Sequence, residues 1–562
     1  MQTWEYAPTH ALRSYAYLLP SVAVAKGSSL FLALTGFQSL DKPQVWLGVK
    51  CFWALCSALS ETLMYDAIKN RFGRRVGGIM LCLSVMHAGM FTACSSLLPS
   101  STAMIFVCLL YALWAERAWY GGIVVGMVCS FGIGWPFVAL LFVPFGLNCL
   151  YEKAYLQSVT HAVVAVVYAI FCAGIMHYGT TLVDSAFYGS STSPNLNIVK
   201  YNVFGEEGRG DELYGTEPLS YYVKNLVLNT NVVFLLALAL APLAFLTWLA
   251  GSRRQWAAMR TKALFASPAF IWLALMASKP HKEERFLYPI YPIISLAAAM
   301  TLESFCSWAE SAIKGQGRGE DEGELDQAGT EGRESVRGED QVPSSDAAFP
   351  GLLVMSIVLF SAALGGIRSA AVIKYHSGPC TLFAELYYEE LGRYWKQGAG
   401  HRYPSLNLCM AGEWYRYPSS FYLPPGVNLR FIQSHYEGQL PQPFTAKGGT
   451  SATPPQPFND LNREEPSRYT TLSECDYVVE RQVQDRNLNS PLIKSITDAG
   501  DEWAVVRKST VLDSERSHPA FRAFYIPRLS DMFVKHADLV LFKRQKGRKR
   551  TQNIPGFYEP MM

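Results

Sequence analysis

The sequence lacks the short motifs with which many enzymes hold metals and nucleotides. Its 562 residues contain no zinc-type Cys/His spacing, no Walker loop and no dinucleotide-binding fingerprint. Charged residues make up 17% of the chain, whereas hydrophobic residues make up 50%, and the mean hydropathy is positive. We therefore expect no metal, no other cofactor and no nucleic-acid partner, and we expect the chain to lie in a lipid bilayer.

Apolar runs long enough to cross a bilayer recur along the chain, each of about 20 residues or somewhat fewer. The predicted spans are 46–67, 76–97, 101–115, 158–178, 229–250, 263–279, 287–306 and 349–372. Between residues 120 and 149 the apolar pattern is interrupted by Gly132, Gly134 and Trp135-Pro136. This interruption predicts two short helices, or a kinked pair that turns within the membrane.

Two loops between predicted spans are rich in basic residues, which indicates the orientation of the chain. These residues are Lys69, Arg71, Arg74 and Arg75 in one loop and Arg253, Arg254, Arg260 and Lys262 in the other. The positive-inside rule places both loops in the cytosol. Counting spans from them places four regions together in a lumen on the other side of the membrane: residues 1–45, 179–228, 280–286 and everything after 372.

Changes in composition divide the chain into five parts. The acidic stretch 307–348 has no apolar periodicity and should be a disordered cytosolic loop. The last part, 373–562, contains short strand-like runs and should be a soluble mixed α/β domain of about 190 residues. The predicted parts are a luminal segment 1–45, a transmembrane core 46–306 with a luminal loop 179–228, the acidic loop 307–348, a final transmembrane helix 349–372 and the luminal domain 373–562.

The twelve cysteines fall into two groups. All but three lie in or beside apolar spans, where a small buried hydrophobic side chain is the expected role. The remaining three, Cys380, Cys409 and Cys475, lie in the terminal domain, which the topology places in an oxidising lumen. We expect one disulfide and one free thiol among them, with the pairing left open.

Five consecutive ionisable side chains, His281 to Arg285, stand between two apolar stretches. Charges so close to hydrocarbon are costly to place, so they favour a role in binding a polar ligand at the membrane surface. The alternative is a cluster of cations that reach out to lipid headgroups. In either case Glu283 and Glu284 are candidate ion-pair partners that orient the cations.

Motifs spread along the chain resemble those of the family 22 glycosyltransferases of the GT-C fold. The similarity covers nearly the whole chain apart from the acidic loop. Within the family it is greatest to the α-1,2-mannosyltransferases that extend the lipid-linked oligosaccharide of N-glycosylation in the endoplasmic reticulum. The segments that carry it are Gln2 to Pro8 with Arg13 to Tyr15, Pro194 to Phe204, Leu213 to Pro218, His281 to Phe286, Pro418 to Phe421 and Glu464 to Tyr469.

The resemblance implies an α-helical polytopic membrane protein of the GT-C type with a C-terminal soluble domain, whose active site faces the lumen of the endoplasmic reticulum. It implies transfer of mannose, with inversion, from dolichyl-phosphate mannose to a dolichyl-diphosphate oligosaccharide, forming an α-1,2 linkage. The departing phosphate needs cations or hydrogen-bond donors around it. Because it already carries negative charge, a metal is not required in principle.

The resemblance also implies a set of donor-binding residues: His281, Lys282, Arg285, Tyr214 and Glu217. Arg285 can grip a phosphate bidentately, and His281 or Lys282 can add charge beside it. Tyr214 and Glu217 either bind sugar hydroxyls or shape a luminal turn.

The general base is the weak point of this assignment. In the resembled family a further transmembrane helix and a luminal Asp-Glu pair precede the Gln2 to Pro8 segment, and that pair is expected to deprotonate the acceptor. The sequence as given starts at the segment, so the one candidate is Glu5, for which a structural hydrogen bond is an equal alternative. We expect the chain as given to enter the membrane without elongating the glycan, and a form extended upstream to succeed.

Other functions stay open. One is a catalytically inactive variant or a non-enzymatic membrane partner, which would keep the fold and lose the base. Another is a related mannosyltransferase of α-1,6 or GPI-anchor specificity. A transporter would also place ionisable residues in the membrane, but it should have broken helices in corresponding halves, and the sequence has one broken region.

Two further features admit both a functional and a structural interpretation. Glu61 lies midway along an apolar span, where it is either functional or paired to another helix. Basic residues near the C-terminus either contact anionic headgroups or a diphosphate, or belong to a solvated terminus. They are Lys543, Arg544, Lys546, Arg548, Lys549 and Arg550.

Overall fold

The computed structural model describes residues 1–35, 40–204, 211–250, 253–321, 345–392, 405–445, 448–453, 457–485 and 488–545. The helices up to the last apolar one are α1 Leu19–Thr35, α2 Lys42–Phe72, α3 Arg74–Val85, α4 Ala88–Ala93, α5 Pro99–Ala115, α6 Trp119–Met127, α7 Val143–Tyr151, α8 Val159–Tyr188, α9 Pro194–Val203, α10 Ser220–Thr230, α11 Val232–Ala250, α12 Arg253–Ser278, α13 Tyr291–Asp321 and α14 Ser345–His376. The C-terminal domain follows with α15 Gly378–Glu385, β1 Leu406–Met410, β2 Val427–Phe431, β3 Tyr477–Gln482, α16 Pro491–Asp498, β4 Trp503–Leu512, α17 Pro519–Ala523, α18 Leu529–Phe533 and β5 His536–Arg544.

Seven helical segments within the described residues are long and apolar enough to cross a membrane. They are Lys42–Phe72, Pro136–Gln157, Val159–Tyr188, Val232–Leu249, Arg253–Ser278, Glu284–Ser311 and Gly351–Glu390. Six of the predicted spans overlap these segments, and the predicted span 101–115 corresponds to the shorter apolar helix α5. The chain is therefore a multi-pass membrane protein.

The predicted span 76–97 is wrong, because the chain forms two short helices there. Helix α3 ends at Val85, and α4 starts at Ala88. The side chain of His87 accepts a hydrogen bond from the backbone N–H of Met90 through Nδ1, at 3.1 Å. This contact caps the N-terminus of α4 and stabilises the break.

Residues 1–45, the predicted luminal segment, contain the helix α1. This helix packs against α2, where the indole N–H of Trp53 donates to Ser21 Oγ at 3.0 Å. At the other end of α2, Gly73 has φ +97°, a conformation that favours glycine. The basic residues Lys69 and Arg71 lie in the last turn of α2 and suit its dipole.

The predicted break between residues 120 and 149 is present. Helix α6 passes into a π-helical turn, Val128–Gly132, and a 3-10 helix begins at Pro136. A Cβ at Gly134 would collide with the backbone oxygen of Cys129, so the turn requires glycine. The apolar helices on either side of this turn are therefore separate elements.

Helix α13 is the central helix of the membrane part. Its first residues are almost wholly buried, and α11, α12, α3 and α5 pack around it. The consecutive residues Ala297, Ala298 and Ala299 let neighbouring backbones approach closely.

The boundaries of the predicted acidic loop 307–348 are shifted. Helix α13 continues to Asp321, and α14 already begins at Ser345. An ion pair between Arg75 and Glu310, at 2.9 Å, holds part of this extension against α3. Residues 322–344, which hold most of the predicted loop, lie outside the described part of the chain.

The C-terminal domain is mixed α/β, as predicted. Its strands form a five-stranded sheet in the order β2-β1-β3-β5-β4, in which β1 runs parallel to β2 and β3 while β5 is antiparallel to both of its neighbours. A disulfide joins Cys409 to Cys475, and Cys380 is free and exposed. The prediction of one disulfide and one free thiol is confirmed.

Two members of the predicted basic tail lie inside this sheet. Lys543 and Arg544 belong to β5 and form ion pairs with Glu390 and Glu502. These two cations are therefore structural in the described part of the chain. The other four, Lys546, Arg548, Lys549 and Arg550, lie outside the described residues.

Candidate active site

Several segments that were predicted to share one side of the membrane meet in the structure. The backbone N–H of Glu217 donates to the carbonyl oxygen of Pro280 at 3.0 Å. Next to this bond, His281 Nδ1 lies 3.0 Å from the carbonyl oxygen of Gly215. The loop around Tyr214 is thus fixed to the start of the charged segment. We call the face of the molecule that carries these contacts the luminal face, after its predicted orientation.

The N-terminal segment completes this cluster. The indole of Trp4 stacks on the ring of Tyr214, with centroids 6.3 Å apart and planes 10° apart. The ring of Tyr214 in turn meets His281 edge-on, at 6.2 Å. Burial raises the pKa of Tyr214, so its hydroxyl stays neutral, and the hydroxyl interacts with the side chain of Tyr201. Glu5 lies next to Trp4 and forms an ion pair with Arg13 at 2.6 Å.

Glu283 orients two of the predicted cations. Its carboxylate is paired with the guanidinium of Arg285 through both oxygens, and one of these contacts, Nη2 to Oε1, measures 2.7 Å. Nε2 of His281 lies 2.9 Å from the same Oε1. About 38% of the Arg285 side chain is exposed, so the cation is fixed in direction and still accessible to a ligand.

Lys282 has a different environment from the one expected of a phosphate ligand. Its side chain is buried, and its ammonium group donates to the carbonyl oxygens of Glu217, at 2.8 Å, and Lys279. The bond to Glu217 ties the charged segment to the neighbouring loop, and the bond to Lys279 stabilises the turn that precedes Lys282. Glu217 itself is exposed. The structure therefore brings together all six predicted site residues, but it uses Lys282 to hold them in place.

Sequence reasoning missed Asp184 and treated Arg13 only as part of a motif. Asp184 is fully buried at the end of α8, where it accepts hydrogen bonds from Ser14 Oγ at 2.8 Å and from the backbone N–H of Tyr15 at 2.6 Å. These bonds hold the chain that follows Arg13. A signal for Asp184 was present in the sequence, because an acidic residue at the end of a long apolar run needs partners.

Glu284 and Glu61 do not reach the cluster. Glu284 interacts electrostatically with Arg368 of α14. Glu61 accepts a hydrogen bond from Ser57 of its own helix, at 2.7 Å, so the expected pairing to another helix is not the one observed. Within the described part of the chain, no group of three or more His, Cys, Asp or Glu side chains is placed to hold a metal ion.

The family model described as the Alg9-like mannosyltransferase family matches residues 1–424. The chain belongs to this family. Its members include the α-1,2-mannosyltransferase ALG9 of Mus musculus, which is 33% identical over 99% of this chain and 84% of its own length. ALG9 of Saccharomyces cerevisiae is 27% identical over 94% of this chain and 84% of its own length. The resemblance derived from the motifs is confirmed, and the chain is a glycosyltransferase.

Two solved structures match this chain with low TM-scores and low sequence identity. ArnT from Cupriavidus metallidurans, bound to undecaprenyl phosphate, matches with a TM-score of 0.41 and 12% identity over 77% of this chain and 81% of its own. The archaeal oligosaccharyltransferase AglB from Archaeoglobus fulgidus, in complex with an inhibitory peptide and a dolichol-phosphate, matches with a TM-score of 0.41 and 11% identity over 74% of this chain and 56% of its own.

Proposed function

We propose that this member of the Alg9-like family transfers mannose from dolichyl-phosphate mannose to a dolichyl-diphosphate oligosaccharide in the endoplasmic reticulum, forming an α-1,2 linkage. The relatives that span nearly the whole chain are named α-1,2-mannosyltransferases. The observation that carries the proposal is the joining of three luminal-face segments around an accessible, oriented guanidinium, that of Arg285.

The donor phosphate takes its place beside Arg285 and His281. Both side chains are oriented by Glu283, so they need little reorganisation as negative charge builds on the departing phosphate. Nη1 of Arg285 takes no part in the pairing with Glu283 and remains available to donate to the phosphate. The neutral hydroxyl of Tyr214, which interacts with Tyr201, can accept a hydrogen bond from a sugar hydroxyl.

The acceptor hydroxyl attacks the anomeric carbon from the side opposite the phosphate, and a base takes its proton. Glu5 is the carboxylate that we assign to this role. Its Oε1 is bound by Arg13, while Oε2 makes no hydrogen bond within the described part of the chain. Arg13 therefore fixes the carboxylate and leaves one oxygen available to the acceptor.

The test uses cells that lack their own α-1,2-mannosyltransferase of this pathway. They receive the chain as given, or the chain preceded by the first helix and luminal acidic pair of a family member, and the mannose count of the lipid-linked glycan is measured. Restoration by either form supports the proposal. Restoration by the chain as given, and its loss in Glu5→Gln, assigns the base to Glu5. If neither form adds mannose although both are present in the membrane, the proposed function is wrong.

A further inference from the structure

A cleft of about 630 Å³ lies on the C-terminal domain, outside the candidate active site. Strand β2 contributes Arg430 and Phe431 to its wall, β1 contributes Asn407, and the chain before β3 contributes Tyr469 and Glu474. A volume of several hundred Å³ is typical of sites for small molecules or for a few residues of a larger ligand.

The wall of the cleft presents hydrogen-bonding groups of several kinds. Asn407 donates through its amide to the carbonyl oxygen of Glu474 at 2.9 Å, and Thr470 donates to the carboxylate of Glu474. The amide oxygen of Asn407 and the second carboxylate oxygen of Glu474 remain as acceptors. Tyr469 and Phe431 add aromatic surface beside them.

Two arginines line the wall of the cleft, and one of them presents accessible N–H donors. Arg430 is exposed and makes no hydrogen bond or ion pair with any residue in the described ranges. Arg468 donates through Nη1 to the carbonyl oxygen of Leu440 at 2.6 Å, and its guanidinium lies over the ring of Phe458, 4.4 Å from the ring centroid, so Arg468 supports the wall. The N–H groups of Arg430 are the ones available to a ligand that brings hydrogen-bond acceptors.

The mixture of groups favours a polyhydroxyl ligand. A lipid chain would need an apolar wall, and a small anion would be repelled by the carboxylate of Glu474 among the cations. Sugar hydroxyls both donate and accept, so they can satisfy amide, carboxylate and guanidinium groups together, and the C–H face of a sugar ring can lie on Tyr469 or Phe431.

The cleft is joined to the candidate active site by the N-terminal segment. Gln2 pairs with Gln442 of the cleft wall through two backbone hydrogen bonds, at 2.6 Å and 3.0 Å. Glu5 follows three residues later, so it lies within about 11 Å of Gln2 even along a fully extended chain. A branched glycan with one end at Glu5 therefore extends far enough to enter the cleft.

We propose that this cleft binds mannose residues of the acceptor oligosaccharide that are remote from the hydroxyl receiving the new mannose. The inference rests on the proposed function, because it takes the acceptor to be that branched, mannose-rich glycan. By holding one branch in the cleft, the protein selects which terminal mannose reaches Glu5. Discrimination between similar branches then comes from contacts away from the reacting atoms.

The test measures binding of a free mannose-rich oligosaccharide to the purified full chain by titration calorimetry. Arg430→Ala should weaken binding by about tenfold, the effect of one lost charge-assisted hydrogen bond. Arg463→Ala is the matched control, since this exposed arginine of the same domain does not line the cleft. Where transfer is measurable, Arg430→Ala should raise the acceptor KM and leave kcat unchanged.

Equal binding of the oligosaccharide by the parent and by Arg430→Ala would overturn the inference, and so would equal binding of a glucose oligosaccharide of the same length. Oligosaccharide binding and mannose transfer are measured in separate assays. Loss of binding in Arg430→Ala supports the cleft even if no form of the chain transfers mannose. Transfer by a chain whose cleft variants behave like the parent rejects the cleft and leaves the proposed function intact.

Discussion

Charged side chains of the luminal face have different roles even where they are close in sequence. Arg285 is partly exposed and is oriented by Glu283, whereas Lys282 is buried and donates to backbone carbonyl oxygens. A side chain with free N–H groups can bind a ligand, while one whose donors are already used stabilises the loop around it. These two neighbours can therefore be separated by experiment.

Arg285→Lys should reduce turnover with the donor by about tenfold. An ammonium cannot keep both oxygens of Glu283 and also reach a phosphate, so one charge-assisted hydrogen bond is lost. Steady-state kinetics with dolichyl-phosphate mannose, in a form of the chain that is active, measure the effect. The melting temperature is the control and should stay within a degree or two of the parent's. Unchanged kinetics would remove Arg285 from the donor site.

Lys282→Met should instead lower stability by roughly 1–3 kcal/mol, because two carbonyl oxygens lose their donor inside the protein. Thermal unfolding in detergent measures this change. A variant with the parent's melting temperature and a raised donor KM would return Lys282 to the donor site.

Glu480 should make the C-terminal domain less stable as the pH rises. It is buried in β3, and burial, followed by the nearby carboxylate of Glu413, raises its pKa from 4.5 to about 8. The folded protein keeps the proton up to about pH 8, whereas the unfolded chain releases it near pH 4.5. Stability is therefore full below about pH 4.5 and falls as the pH rises to about 8.

Glu480→Gln should remove this loss and raise stability at pH 8 by up to roughly 4 kcal/mol. Melting temperatures at pH 5 and pH 8 are compared, and the gap between variant and parent should widen at pH 8. Glu437→Gln, at an exposed position of the same domain, is the matched control. A gap of the same size at both pH values would contradict the assignment.

Among the elements, the last apolar helix connects the membrane part to the C-terminal domain. The carbonyl oxygen of Ile367 in α14 accepts from the backbone N–H of Tyr525 at 3.0 Å, and Arg368 Nη1 donates to the carbonyl oxygen of Ala523 at the same distance. Because Arg368 also interacts with Glu284, the charged segment, α14 and the C-terminal domain form a continuous set of contacts.

A disulfide bond adds a covalent link within the C-terminal domain. It links Cys409 in β1 to Cys475 just before β3, across 66 residues. Closing a loop of that length in the unfolded chain is worth about 4 kcal/mol. Cys409→Ala with Cys475→Ala should therefore lower the melting temperature by several degrees. Cys380→Ser should leave the melting temperature unchanged, since that thiol is free and exposed. Equal melting temperatures for all three proteins would show that the disulfide does not stabilise the domain.

For the molecule as a whole, the predicted orientation in the membrane can be tested by labelling the thiol of Cys380. The contacts of the luminal face put the C-terminal domain on the same side as the charged segment, and Cys380 is exposed on that domain. A membrane-impermeant maleimide should label it in sealed microsomes only after the membrane is permeabilised. Cys380→Ser should remove that signal. Labelling of intact vesicles at Cys380 would reverse the orientation.

The helical membrane part, its broken region and the soluble C-terminal domain could be predicted from sequence, because each depends on a local pattern. A run of apolar residues of bilayer length has few alternatives to a helix. Gly134 and the following Trp135-Pro136 interrupt such a run and favour a turn. The same approach failed at residues 76–97, where hydropathy is continuous and the break depends on His87 capping α4. A hydropathy profile cannot detect a capping hydrogen bond of this kind.

By itself, the sequence determined the family, the membrane setting and the set of candidate site residues, since motifs and periodicity are properties of the linear chain. Tertiary structure alone decided what each of those residues does. Whether Lys282 binds a ligand or supports the fold depended on the carbonyl oxygen of Glu217, which lies in a loop more than sixty residues away. The partner of Cys475 and the burial of Asp184 likewise depended on segments distant in sequence. A side chain's free donors, charge and exposure are set by its neighbours in space, and folding chooses those neighbours.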